Sequence, residues 1–350
     1  MIDSPFGFLL DAKLQAQHAV GRTHPNPPVG CVVVKDNKVV GRGFTSPAGG
    51  PHAEVHALRE AGEQAKGSTL YVTLEPCSHF GRTPPCVDAI IQAGVSHVVV
   101  GMQDPNPLVN GAGIQKLIQA GIDVEMGDAD LYLKPFVKFV TQKKPWVIAK
   151  IATSLDGRLS NKVGIRTQIS GAQANEQVHR LRNCVDAVMV GANTVLIDDP
   201  KLTVRGLDDV GVRNPIRVVI DGSLQTDIKS QVYQGGAIVI HAGASRVAEF
   251  QRAGIETIAV PKMNGHTSLP DAFSELANRG ITSVLVECGQ SMFTQLLNDD
   301  LIDEMWWITA PKIFGSEGTG SVDKMSSSPQ YVWQEPVVLG DDVLRVGLRR

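Results

Sequence analysis

Pro51-His52-Ala53-Glu54, followed by Pro76-Cys77 and then Cys86, is the stretch on which the reading of this chain turns. One imidazole and two thiols supply the three protein ligands that a catalytic zinc takes while keeping a position for water. A carboxylate two residues after the imidazole can carry protons between that water and a leaving amine. The pattern implies hydrolytic removal of an amine from a heterocycle, with His52, Cys77 and Cys86 as metal ligands and Glu54 as proton carrier. Two thiolates would balance the charge of the ion. Cys86 is expected to open a helix, where free amides favour the thiolate.

Other readings of the same residues are available. His52 and His56 are four apart, as the two histidines of a zinc protease helix are. That motif needs a glutamate directly after the first histidine, where this chain has Ala53, and it leaves both cysteines unused. His56 is therefore read as a packed or hydrogen-bonded helix residue. A purely structural zinc would need a fourth ligand, for which Cys31 is available. Each of the three residues could also be a core residue, since cysteine behaves as a small hydrophobe.

Around the motif, strands and helices alternate. Strands are expected at residues 29–35, 38–43, 69–74, 95–100 and 122–126, the first two joined across Asp36-Asn37. Helices are expected at 52–61, 86–93, 113–120 and 130–143, the last delayed or interrupted by Pro135. This order describes an α/β sandwich around one mixed sheet. Lys144-Pro145 is the expected boundary between a domain of residues 1–145 and a second of residues 146–350. Beyond it, strands are expected at 146–152, 187–191, 216–221, 237–241, 257–260, 283–287 and 305–310. Helices fall at 173–182, 246–253, 270–278 and 290–298. The turn Cys288-Gly289-Gln290-Ser291, between a strand and a helix, is a plausible phosphate cradle.

Bulk properties narrow the function. A chain of 350 residues can bury two cores. A formal net charge of −3 and an aromatic content of 5% argue against nucleic acid, which calls for basic surface and stacking rings. No apolar run reaches the length of a membrane span, and the start, Met1-Ile2-Asp3-Ser4-Pro5, has no basic leader region. Five cysteines without a dense framework fit a reducing cytoplasm. A metal-stabilised binding protein without catalysis would have no use for Glu54.

The motifs resemble the bifunctional riboflavin-biosynthesis deaminase/reductase family of bacteria over nearly the whole chain. The resemblance rests on Pro25-Asn26-Pro27, Val29-Gly30-Cys31, the run Thr73-Leu74-Glu75-Pro76-Cys77-Ser78-His79, Thr83-Pro84-Pro85-Cys86 and Asp104-Pro105-Asn106-Pro107. Eight residues, Ser78 to Pro85, separate the cysteines, where general cytidine deaminases have two. The resemblance implies a cytidine-deaminase-like α/β/α sandwich followed by a dihydrofolate-reductase-like α/β domain. It implies zinc and NADPH as cofactors, and 2,5-diamino-6-ribosylamino-4(3H)-pyrimidinone 5′-phosphate as substrate. The first domain would replace the ring C2 amine by a carbonyl; the second would reduce the ribosyl group to ribityl. By the same resemblance Asn26, His79, Asp104 and Asn106 line the pyrimidine pocket and Arg82 holds the phosphate.

In the second half the resemblance rests on Ser154-Leu155-Asp156-Gly157-Arg158, residues 191–194, Asp198-Asp199-Pro200, Leu202-Thr203-Val204-Arg205 and Ala310-Pro311-Lys312. It implies that Ala152, Gln168, Thr194, Asp198, Gly289, Gln290 and Ser291 contact NADPH. Arg182, Leu202, Arg205 and Glu287 would contact the substrate. Arg166 and Gln168 depart from the serine and tryptophan of many relatives, and Cys288 stands where a smaller residue is common. The family also implies a homo-oligomer, dimer or tetramer.

Overall fold

In the computed structural model, which describes residues 5–81, 84–107, 109–128, 132–207, 211–243, 245–326 and 328–350, Asp36 and Asn37 take φ of 47° and 62°. Positive φ at both central residues makes a tight two-residue hairpin. It joins β1 (Gly30–Lys35) to β2 (Lys38–Phe44). The chain divides into two compact units, Met1–Lys143 and Lys144–Arg350.

The first unit has a five-stranded sheet of order β2-β1-β3-β4-β5, with β3 at Thr69–Val72, β4 at His97–Val100 and β5 at Asp123–Met126. β1 pairs antiparallel with β2 and β3, while β3, β4 and β5 run parallel. Side chains alternate along a strand. Val32 and Val34 of β1 accordingly join Phe8, Leu9 and Ala12 of α1 (Pro5–Gln17) on one face. Cys31 and Val33 join Ala53, Ala57 and Ala61 of α2 (Ala53–Ala61) on the other. A Cβ at Gly41 or Gly43 of β2 would overlap the carbonyl oxygen of Ala57 or Ala53. Glycine there lets α2 sit directly on the sheet, with His52 at its N-cap and Glu54 in its first turn.

Val87 and Ile90 of α3 (Cys86–Gln92), Leu117 of α4 (Ala112–Gln119) and Phe136 of α5 (Lys134–Gln142) complete the α2-side layer. The helix expected from residue 130 thus starts later, with Pro135 in its first turn, where a missing N–H costs nothing.

The second unit is built from β6 (Trp146–Ser154), α6 (Ala172–Cys184), β7 (Ala187–Gly191), α7 (Ala192–Asp198), β8 (Ile216–Ile220), β9 (Ile238–His241), α8 (Val247–Arg252), β10 (Glu256–Ala259) and a short pair, β11 (Lys262–Met263) with β12 (His266–Thr267). It continues with α9 (Leu269–Asn278), β13 (Ser283–Glu287), α10 (Gln290–Asn298), β14 (Glu304–Ala310), β15 (Tyr331–Trp333), β16 (Val337–Leu339) and β17 (Asp342–Arg349). Its large sheet has the order β10-β9-β8-β7-β13-β6-β14-β17-β15, with β16 also on β17. Pairing is parallel from β10 to β14 and antiparallel beyond. The central strands are apolar on both faces: Val284 and Val286 face one core, and Leu285 the other.

All seven strands expected in this half are present. The sequence reading missed α7, the short β11–β12 pair and the strands after residue 310. β15 and β16 have three residues each, too few for a periodic signal, and β17 mixes buried and half-exposed positions.

Candidate functional site

His52 caps α2, Cys86 opens α3, and Cys77 lies on the loop between β3 and α3. Their donor atoms lie within 4.8 Å of one another. His52 Nδ1 is 3.2 Å from Cys86 Sγ and 3.6 Å from Cys77 Sγ. The backbone N–H of Cys86 donates to Cys77 Sγ at 3.4 Å, and that of Val87 to the Cys77 carbonyl at 3.2 Å. One nitrogen and two sulfurs converging on one point fit a zinc ion of the three-ligand type. The hydrogen bond from Cys86 holds Cys77 down to about 4, and the same bond, with burial, pushes Cys86 up.

Cys31 is fully buried and is not part of this group among the described residues, so the four-ligand structural reading finds no support. His56 points away to Ser46, Nε2 to Oγ 2.7 Å, as a hydrogen-bonded helix residue.

Glu54 is 3% exposed. With His52 and Cys77 it lines a cavity of about 430 Å³. Burial first, and the Cys77 charge second, push its carboxyl up to about 7. A carboxyl at that level can accept and return a proton near neutrality.

Asn26, His79, Asp104 and Asn106 line the same cavity. Arg82 lies outside the described residues. The Asn106 amide donates to Asp104 Oδ1 at 2.8 Å, which fixes the turn between them, and burial raises the Asp104 carboxyl. The sequence reading missed two parts of the lining. Phe136, Phe139 and Val140 of α5 form an apolar wall, and the buried Glu75 sits beside Asp104. Glu75 lies within the run Thr73 to His79, where its sequence signal is the acid directly before Pro76-Cys77.

In the second unit Arg182 of α6 grips Glu287 at the end of β13 through two parallel bonds. Nε donates to Oε1 at 2.5 Å and Nη2 to Oε2 at 2.9 Å, while Nη1 donates to the Thr203 carbonyl at 3.0 Å. Burial would raise the Glu287 carboxyl, but the Arg182 charge outweighs it and leaves the group below its ordinary value. Lys150 lies opposite Glu287 in the β6–β13 register. Burial pulls its ammonium down, against the pull of Glu287. A lysine inside the otherwise apolar run of β6 was the one sequence signal for it.

The exposed Arg205 donates its backbone N–H to His179 Nδ1 at 3.2 Å. Burial, then the charges of Arg182 and Arg205, lower that imidazole. Arg182, Arg205 and Glu287 are thus brought together. The Leu202 side chain instead lies in the core, 2% exposed, leaving only its backbone for a ligand.

Of the residues expected to meet the dinucleotide, Ala152 lies near the end of β6, Thr194 in α7 after β7, and Gly289, Gln290 and Ser291 at the start of α10 after β13. These three strands are neighbours, and the residues share their carboxyl edge, where ligands of open parallel sheets bind. A Cβ at Gly289 would come to 3.9 Å from Thr194 Oγ1. Asp198 ends α7; burial raises its carboxyl and the Arg166 charge opposes that. Gln168 is exposed, its side chain donating to the Ser170 carbonyl at 2.7 Å and its own carbonyl accepting from Lys312 Nζ at 2.8 Å.

Comparison with known proteins agrees with this division. The family pattern described as RibD C-terminal domain matches residues 145–343, more than half of the chain. The cytidine and deoxycytidylate deaminase zinc-binding region matches residues 7–102, which include His52, Cys77 and Cys86. The riboflavin biosynthesis protein RibD of Escherichia coli K12 is 42% identical over 348 residues, covering 94% of this chain and 95% of its own. The structure of Acinetobacter baumannii RibD superposes with a TM-score of 0.90 at 35% identity, covering 98% of each chain. That of a diaminohydroxyphosphoribosylaminopyrimidine deaminase/5-amino-6-(5-phosphoribosylamino)uracil reductase from Thermotoga maritima does so with a TM-score of 0.87 at 35% identity, again over 98% of each. The chain belongs to the RibD family of bifunctional riboflavin-biosynthesis deaminase/reductases.

Proposed function

We propose that residues 1–145 hydrolyse the C2 amine of 2,5-diamino-6-ribosylamino-4(3H)-pyrimidinone 5′-phosphate, releasing ammonia, and that residues 146–350 reduce the ribosyl group of the product with NADPH. The final product is 5-amino-6-(5-phosphoribitylamino)uracil. The convergence of His52, Cys77 and Cys86, with Glu54 buried at the same cavity, carries the first half of this reading.

A zinc ion held by His52, Cys77 and Cys86 would supply Lewis acidity to the hydrolytic water. Glu54 takes a proton from that water and returns it to the leaving amine, a role supported by its carboxyl being pushed up to about 7. Asn26, Asp104 and Asn106 present polar groups to the edge of the pyrimidine, and Phe136 and Phe139 keep bulk water from its faces. His79 joins them at the pyrimidine pocket, and Arg82 holds the phosphate.

NADPH, when bound, supplies the hydride for the reduction. The first turn of α10 offers free amides to its phosphates, with Ala152, Gln168, Thr194 and Asp198 beside them. Arg182, Arg205 and the Leu202 backbone hold the phosphoribosyl group, which presents C1 as its ring-opened imine. Glu287, fixed by Arg182, holds the polar atoms near that carbon.

The chain is further proposed to work in the cytoplasm as a homo-oligomer. Its five cysteines are all free thiols, and among the described residues no helix is long and apolar enough to cross a membrane.

A coupled assay tests the whole reading. Ammonia should appear first with the pyrimidine substrate alone, and NADPH absorbance should fall only with the deaminated product. NADPH consumption on the undeaminated substrate at an equal rate would overturn the order of the two steps.

A further inference from the structure

Glu75 is a second buried carboxylate at the deaminase cavity, 4% exposed, and the chemistry proposed above does not use it. Its surroundings exclude a proton-carrying role. Oε2 accepts from the backbone N–H groups of Asp104 at 3.1 Å and Gly111 at 2.9 Å. Oε1 accepts from those of Gly113 at 2.9 Å and Ile114 at 3.2 Å. Four donors on two oxygens leave no lone pair aimed at a ligand. Bonds from N–H to an ionised acceptor are among the stronger kinds.

The four amides belong to two segments. Asp104 starts the loop that carries Asn106, and Gly111, Gly113 and Ile114 form the N-terminus of α4. The Glu75 backbone is also fixed, its N–H donating to the Met102 carbonyl at 2.9 Å. Gly113 must be glycine for this approach, because a Cβ there would overlap the carbonyl oxygen of Pro76.

We infer that Glu75 is a positioning residue: its carboxylate clamps the Asp104 amide and the N-terminus of α4 onto the strand end that leads into Cys77. The wall that reads the pyrimidine and one metal-ligating loop are thereby held as one piece. Glu75 touches neither substrate nor proton. The inference rests on the assignment of this cavity as the deaminase pocket.

Amide hydrogen exchange on the unmodified, zinc-loaded full chain is the first test. The N–H groups of Asp104, Gly111, Gly113 and Ile114 should exchange at least ~10² more slowly than solvated loop amides, since they open only with the clamp. Exchange at the solvated rate would overturn the proposal, whatever any variant does. The second test is Glu75→Gln, which keeps the shape but turns an NH2 toward two donors. KM for deamination should rise at least ~10-fold, kcat should fall less, zinc should stay stoichiometric, and exchange at the four amides should speed up. A loss of ~10² or more in kcat at unchanged KM and exchange, the mark of a group acting in the chemistry, would overturn it. Wild-type protein that releases no ammonia would instead refute the assignment of the cavity and leave the clamp to be judged by exchange alone.

Discussion

The proposed deaminase and reductase sites are written into the chain in different ways. The first is local: His52, Glu54, Cys77 and Cys86 lie within a short run, on one helix start, one loop and the next helix start. The proposed second site draws Arg182, Arg205 and Glu287 from across the second half, with Lys150 opposite Glu287 in the sheet. Metal chemistry requires particular donor atoms, so it marks the sequence with histidine and cysteine. Hydride transfer is the cofactor's chemistry, and the protein supplies only orientation and charge, which many residue types can provide.

This contrast predicts that the two activities respond separately. The largest effect is expected from a strong chelator, which should abolish ammonia release, with zinc restoring it, while reduction of the deaminated intermediate proceeds unchanged. A chelated, metal-free protein that still deaminates would break the contrast at its root. Next is Glu54→Gln. Deamination should fall by at least ~10², with bound zinc and NADPH oxidation unaffected. Equal loss of both activities would show that the sites are not independent.

Arg182→Met leaves the Glu287 carboxylate largely buried without its bidentate partner. Breaking such a pair costs about 3 kcal/mol. Urea unfolding followed by the fluorescence of Trp146, Trp306, Trp307 and Trp333, all in the second unit, should show that loss, while deamination persists to the same urea concentration as in the parent. Unchanged resistance would mean that Lys150 takes over the carboxylate. The smallest effect is expected from Arg205→Ala. Arg205 is exposed, and its hydrogen bond to His179 runs through its backbone, so folding should be untouched. The reductase KM should rise about tenfold through loss of a charged contact to phosphate. An unaltered KM would remove Arg205 from the substrate site.

Legibility followed the same division. Among the cavity residues, Asn26, His79, Asp104 and Asn106 were named from short motifs, and the structure brings them to one cavity with Glu54. The apolar wall from α5 was not, because Phe136, Phe139 and Val140 read as ordinary helix residues until the fold turns them toward the site. In the second unit Lys150 went unnoticed. Leu202, named from its motif, turned out to place its side chain in the core.

From the chain alone came the candidate donor set of a metal, the alternation of strand and helix, an expected break near Lys144-Pro145 and the glycine turn before α10. Each depends on residue type at short spacing, where backbone geometry leaves little choice. Folding in three dimensions was needed to show that Arg182 closes on Glu287 and that Glu75 spends both oxygens on four amides. Those contacts join segments far apart in sequence. They follow from sheet order and register, and from how much water each carboxylate keeps.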